Sequence, residues 1–472
     1  MRYYINCENL AQGGYCPAFY KEDYSSYGNK NQASDMTNMD LTNVTYIQQA
    51  PGLANLNNNG LVTTLIKGIL GAPPVTDTNY AIGGTKLYQF SSIGITNDAV
   101  FPHTIAGATG EDVCWFRGKL YYSYNGTAPG IGLYDGSFDD DWNSTVPSGH
   151  GAIENNVPHQ MIGGGSVGID IMYFTNGKYV GSYDGTTFVR QDLNFSIGSE
   201  IQSIAWMSDR VWCAVNKTTL TGANKNVASI YVWDGNDTTW ESEVPLMGKV
   251  GGLHVKNGIL YLFYQDITNI GGYKLAYLNG SSVVDVANFT GSLPAFYQIT
   301  DYKDFIIWNS DGKIWAYGAG DKDLPPRLFQ FADGGYSTVG GIACPFGTPI
   351  IASNESTSYR LAKFSGYDTN CSWKSLLFDI TGNGIQSTID SVRFNFEKLE
   401  SGARVDWLLK NNRGETIYSD TISYDKLGAV TTCYYPFNGK KQENFRIELS
   451  YANGSTTMTV KLKSIKINGS IN

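Results

Sequence analysis

Three short stretches decide how this chain is read: Leu133-Tyr134-Asp135-Gly136, Ser182-Tyr183-Asp184-Gly185 and Val232-Trp233-Asp234-Gly235. Each closes an alternating run on an aromatic residue followed by Asp-Gly, a pair suited to the positive φ of a two-residue hairpin turn. The pattern predicts a turn between two antiparallel strands, and its recurrence predicts a repeated unit. Weaker copies follow at Leu278-Asn279-Gly280, Tyr317-Gly318 and Phe364-Ser365-Gly366, and one precedes at Phe90-Ser91-Ser92. The anchors 90, 134, 183, 233, 278, 317 and 364 are separated by 44, 49, 50, 45, 39 and 47 residues.

Each copy has the same internal order. A Gly-rich apolar lead such as Val250-Gly251-Gly252-Leu253 comes first, and an alternating strand such as Gly258 to Phe263 follows. A third strand then ends on the aromatic signal, with a fourth after the turn. A mean period of about 46 residues with four short strands per period matches the blades of a β-propeller. The expected fold is therefore all-β, with about seven four-stranded blades over residues 59–370. The first copy (Val62 to Ser92) and the seventh (Val339 to Gly366) are the weakest, so six or eight blades are alternatives. From about residue 371 Gly thins out and the alternation lengthens, in Ser391 to Phe396, Ala403 to Leu409, Thr416 to Tyr424, Phe445 to Tyr451 and Thr457 to Ile467. Residues 371–472 are expected to form a C-terminal β-sandwich of jelly-roll type. Residues 1–58 read as an extended N-terminal arm, too polar to build a core alone. Its aromatics, Tyr3, Tyr4, Tyr15, Phe19, Tyr20, Tyr24 and Tyr27, predict docking on neighbouring subunits or on the same chain.

Composition agrees with strands and excludes several function classes. The 472 residues include 54 Gly and 63 aromatics, with only 16% charged residues, against about 25% in a typical domain. The net charge is −9 and no run of Lys or Arg exceeds two residues, so a nucleic-acid footprint is absent from the sequence. No stretch approaches the roughly 18 apolar residues of a membrane helix, and no membrane insertion is expected. Seven cysteines, Cys7, Cys16, Cys114, Cys213, Cys344, Cys371 and Cys433, are too scattered for a CxxC clip and read as reduced thiols packed in strands.

The candidate chemistry is sparse. Asp139-Asp140-Asp141 and Asp234-Gly235-Asn236-Asp237 could gather oxygens around Ca²⁺, but neither has the spaced pattern of a calcium loop, and turns explain both. Asn309-Ser310-Asp311-Gly312-Lys313-Ile314-Trp315 approaches a sialidase box with the wrong spacing and occurs once. His103, His150, His159 and His254 stand singly, and no nucleophile elbow, zincin motif or phosphate loop occurs. The reading is not an enzyme, with no catalytic residues, no cofactor and no metal. Most aromatics fall where packing between blades accounts for them, and none can be nominated as a sugar platform.

The layout resembles virion structural proteins of tailed bacteriophages, the kind found in tails, nozzles and neck assemblies. The resemblance rests on the lead-in from Asp35 to Leu53, the Gly/Tyr-rich repeats, and the closing runs Ser391 to Val405 and Phe445 to Ser450. It departs at Ala50, where such lead-ins tend to carry Arg before Pro-Gly. The resemblance implies a non-enzymatic component of a tail or neck, made in the bacterial cytoplasm and built into a symmetric homo-oligomeric ring with other virion proteins. An acidic lining would let DNA slide past rather than grip it. The alternative is a carbohydrate-binding adhesin, on the virion or a bacterial surface, with a host glycan as partner.

Overall fold

The computed structural model describes residues 2–8, 10–12, 33–43, 45–56, 61, 64–71, 77–146, 148–149, 151–165, 170–217, 227–267, 271–319, 326–333, 339–355, 358–379, 387–442, 444–452 and 454–471. The chain is all-β, with many four-stranded antiparallel sheets. Among the described residues helix is confined to single turns such as Trp142–Thr145 and Tyr424–Leu427.

Among the described residues, seven sheets follow one another between Ile66 and Ser365, and each lays its first three strands side by side in chain order. Sheet one comprises Ile66–Gly71, Asn79–Gly83, Lys86–Phe90 and His103–Thr104. Sheet two comprises Ala108–Phe116, Lys119–Gly126, Gly130–Tyr134 and Phe138–Asp139. Sheet three runs from Met161–Gly164 to Phe188–Asn194 and gains Ser148–Gly149 as a parallel fifth strand. Sheets four, five and six begin with Ser199–Met207, Gly248–Lys256 and Ile299–Tyr302. Sheet seven holds Val339–Ala343, Ile350–Glu355 and Ser358–Ser365. The first strand of each sheet touches the first strand of the next, and that of sheet seven touches that of sheet one, so the seven leading strands form a closed ring. All seven anchor residues occupy the last or next-to-last place in the third strand of a sheet.

The turns differ from the sequence reading. The Asp-Gly turns are wider than two residues, since Tyr134 pairs with Phe138 and Tyr183 with Phe188. The cause is the Asp side chain, which gathers backbone N–H groups ahead of it: Asp184 accepts from Thr186 and Thr187 at 2.7 Å, and Asp234 from Asn236 at 2.9 Å and Asp237 at 3.0 Å. Gly136, Gly185 and Gly235 supply the positive φ at the next position (112°, 95° and 88°).

The described part of residues 1–58, expected to dock on neighbouring subunits or on the same chain, pairs with strands of the same chain. Gly52–Asn55 pairs with Ser358–Ser365 as the fourth strand of sheet seven, so the ring is completed by a strand from the other end of the chain. Arg2–Glu8 pairs with Leu462–Ile471, and Ala33–Thr37 with Ser372–Ser375. These pairings belong to two further sheets. One runs Arg2–Glu8, Leu462–Ile471, Ser387–Phe396, Thr432–Gln442; the other contains Ala33–Thr37, Ser372–Ser375, Asn444–Ser450, Arg404–Asn411 and Thr416–Ser423. Thr432–Gln442 carried no strand expectation, and the last strand starts at Leu462 rather than Thr457. The N-terminal lead-in is polar on average, yet Met36, Met39, Leu41 and Ile47 are buried with Trp373, Trp407 and Phe394 in one core. That core continues into Phe305, Phe329 and Phe331 of sheet six, so the ring and the C-terminal sheets share apolar packing. Arg327, buried at 3% exposure, donates to the Leu41 carbonyl from Nε (3.1 Å) and Nη2 (2.6 Å), which ties the lead-in to sheet six.

Candidate functional site

The ring has a polar cavity where its leading strands begin, and a repeated irregularity shapes it. In sheet two the pairing of the first two strands shifts between Gly110 and Asp112, leaving Glu111 as an extra residue. Sheet four shifts between Ile201 and Ser203 around Gln202, and sheet five between Val250 and Gly252 around Gly251. Sheet one shifts between Ile66 and Ile69, across Lys67 and Gly68, and sheet seven between Val339 and Ile342, across Gly340 and Gly341. A bulge breaks strand alternation and re-aims one side chain. Lys67, Glu111, Gln202 and Gly251 consequently line one cavity of about 510 Å³, together with Asn125 and Asn156 and, ahead of sheet six, Phe296 and Tyr297.

The residue beside the bulge fastens one sheet to the next. Asp112 accepts the backbone N–H of Met161 at 2.8 Å, and Ser203 accepts that of Leu253 at 3.0 Å. Gln160, just ahead of sheet three's first strand, accepts the N–H of Ile204 at 2.8 Å. At the ring's junction the contact is backbone to backbone: a Cβ at Gly340 or Gly341 would overlap the carbonyl oxygens of Ile66 and Lys67.

The electrostatics are those of a neutralised site. Lys67 Nζ lies 2.6 Å from both oxygens of Glu111, whose own exposure is 5%. The same ammonium stands 6.0 Å from the centre of the Tyr297 ring. Burial, with Glu111 and Tyr359 adding to it, pushes the Tyr297 phenol up to about 12. Behind Glu111, burial drives the Asp112 carboxyl up to about 7, against hydrogen bonds from Met161 and Val113 that favour its charge. Glu111 is the one carboxylate among the described lining residues.

The residues singled out in the sequence are dispersed. Asp140 is taken up by His103 (2.9 Å) and by the Tyr122 hydroxyl, while Asp139 meets Thr145 at 3.4 Å. Asp234 to Asp237 forms the turn described above. Asp311-Gly312 is a two-residue hairpin turn, both at positive φ (49° and 79°), and Asp311 accepts from Ser292 N at 2.9 Å. Among the described residues no three His, Cys, Asp or Glu side chains converge on one point. His254 pairs with Asp301 at 2.8 Å. His159 is buried with its ring nitrogens at the carbonyls of Thr175 (3.0 Å) and Glu154 (2.9 Å); burial lowers its pKa and the two carbonyls oppose the shift. Cys114, Cys213, Cys371 and Cys433 are buried free thiols, Cys7 is buried and Cys344 is partly buried. His150 and Cys16 lie outside the described residues. Sequence reasoning missed Lys67, Glu111, Gln202 and Tyr297; the signal nearest to them was the Gly-rich lead of each repeat.

No family model matches the chain, and no curated protein matches its sequence. Solved structures to which it is similar include the WD40 β-propeller domain of Doa1, at 12% identity and a TM-score of 0.43, covering 66% of this chain and 97% of that one. YCF48 bound to D1 peptide is similar at 11% identity and a TM-score of 0.43, covering 67% and 97%. Drosophila Semaphorin 1a, extracellular domains 1–2, follows at 10% identity and a TM-score of 0.40, covering 66% and 88%.

Proposed function

We propose that the chain is a non-enzymatic structural component of a tailed-phage virion, a seven-bladed β-propeller joined to a C-terminal β-sandwich. The observation that carries this reading is the way the ends are tied. The first strand pairs with the last from Arg2↔Ser470 to Glu8↔Ser464, and Gly52–Asn55 completes the ring. Pulling either end loads a ladder of backbone hydrogen bonds within a shared core, which suits a part that must stay folded under mechanical and proteolytic stress.

The surface supports assembly. Ile197 (87% exposed) and Met247 (61%) sit on neighbouring connections from one sheet to the next, and so on one face of the ring. Single exposed apolar residues are ordinary, but two on adjacent connectors with few charges around the chain offer a surface for a neighbouring subunit. Self-contacts of this kind close into rings when they are related by a rotation. The net charge of −9 disfavours a grip on DNA and suits passive passage. Mass spectrometry of purified tailed particles from the source of this sequence tests the assignment: the chain should be a stoichiometric particle protein, and its absence from particles would sink the reading.

A further inference from the structure

We propose that the cavity ringed by the bulges is a binding site for one neutral saccharide unit. The inference goes beyond the structural role and does not depend on it. Three properties of the cavity define its occupant.

The first is charge. Lys67 and Glu111 neutralise each other at 2.6 Å. An anionic ligand would have to displace Glu111 from the ammonium and a cation would have to displace Lys67, so an uncharged ligand fits with the pair intact. The second is hydrogen-bonding type. Thr109 and Asn156 line the cavity with uncommitted polar side chains, and Gln202, whose amide nitrogen donates to Glu200, lines it beside them. Hydroxyl and carboxamide groups both donate and accept, which a polyol can answer with hydroxyls in either sense. The third is the aromatic wall. Phe296 and Tyr297 meet edge to face, with centroids 5.3 Å apart and planes at 85°. Rings at right angles form no parallel pair to clamp a flat nucleobase from both sides, whereas the C–H face of a pyranose needs only one ring to pack against.

The volume of about 510 Å³ lies within the usual range of ligand pockets, about 300–1,000 Å³. The bulges matter here because regular alternation would turn Glu111 and Gln202 away from the cavity, as a one-residue slip does for every side chain in a strand.

The test uses the full-length chain, titrated by NMR and calorimetry with methyl glycosides of neutral hexoses and N-acetylhexosamines, and with sialic acid as the charged control. Saturable binding of at least one neutral glycoside is expected. Gln202→Ala and Tyr297→Ala should each weaken it about tenfold, a change equal to one or two hydrogen bonds, with the unfolding temperature unchanged for Gln202→Ala. If Tyr297→Ala does not fold, Gln202→Ala alone decides. No saturable neutral glycoside, binding untouched by the substitutions, or binding of sialic acid alone would overturn the proposal.

Discussion

The Asp112 carboxylate of sheet two accepts the backbone N–H of Met161 in sheet three at 2.8 Å, across the gap between two sheets. Its other oxygen accepts Val113 N at 2.9 Å. One half-buried side chain thus satisfies two backbone donors and links neighbouring leading strands. Asp112→Ala leaves both donors unpaired, and a loss of about 1–3 kcal/mol is expected from denaturant unfolding.

The same residue predicts a pH dependence. Burial raises the Asp112 pKa from 3.8 to about 7 in the folded chain. The folded state then holds a proton that the unfolded state releases, so the contribution to stability is complete below about pH 4 and is lost as pH rises through about 7. Calorimetry should find the stability gap between wild type and Asp112→Ala larger at pH 5 than at pH 8. A gap that widens with pH would reverse the sign.

Lys67 and Glu111 should behave as a unit. Removing one partner strands a charge in a site where Glu111 is 5% exposed, at a cost of about 3 kcal/mol or somewhat less given the partial exposure of Lys67. Lys67→Met should therefore destabilise more than the double variant Lys67→Met/Glu111→Leu. A double-mutant cycle by urea unfolding measures the coupling.

Closure of the ring rests on glycine. Gly340→Ala places a methyl against the Ile66 carbonyl, and Gly341→Ala places one against that of Lys67. Neither backbone can yield without moving the junction of sheets seven and one. A loss of at least about 2 kcal/mol is expected for each, while Gly163→Ala, whose Cβ meets nothing within 4 Å and whose φ is not positive, should cost less.

Arg327 supplies the fourth handle. Burial lowers its pKa to about 10, and its guanidinium faces the Leu41 carbonyl and the Phe305 ring, 5.2 Å away. Arg327→Met should release the lead-in. Hydrogen exchange is expected to quicken across residues 33–50 and in Gly52–Asn55, with sheets two to four unchanged.

Much of this architecture is legible in the sequence because Tyr134, Tyr183 and Trp233 each close a strand beside Asp-Gly. That local signal depends only on turn geometry. The pairing of Gly52–Asn55 with Ser358–Ser365 spans about the whole ring, and nothing in four short residues announces a partner so distant. The burial of Met36, Met39 and Ile47 is hidden for a similar reason: polar neighbours dilute the apolar pattern, and the core that receives them is built by residues after 300, most of them beyond 370. The cavity escapes for a different reason. Its bulge position carries Lys67, Glu111, Gln202 and Gly251 in different copies, so the repeat preserves the backbone irregularity and varies the chemistry.

The most direct measurement of the central claim is cryo-electron microscopy of purified tailed particles from the source of this sequence. Copies of this chain are expected in the tail or neck, arranged by rotational symmetry, with the ring closed by Gly52–Asn55 and the connectors bearing Ile197 and Met247 covered by neighbours. A particle whose tail and neck density is fully assigned to other chains would contradict it.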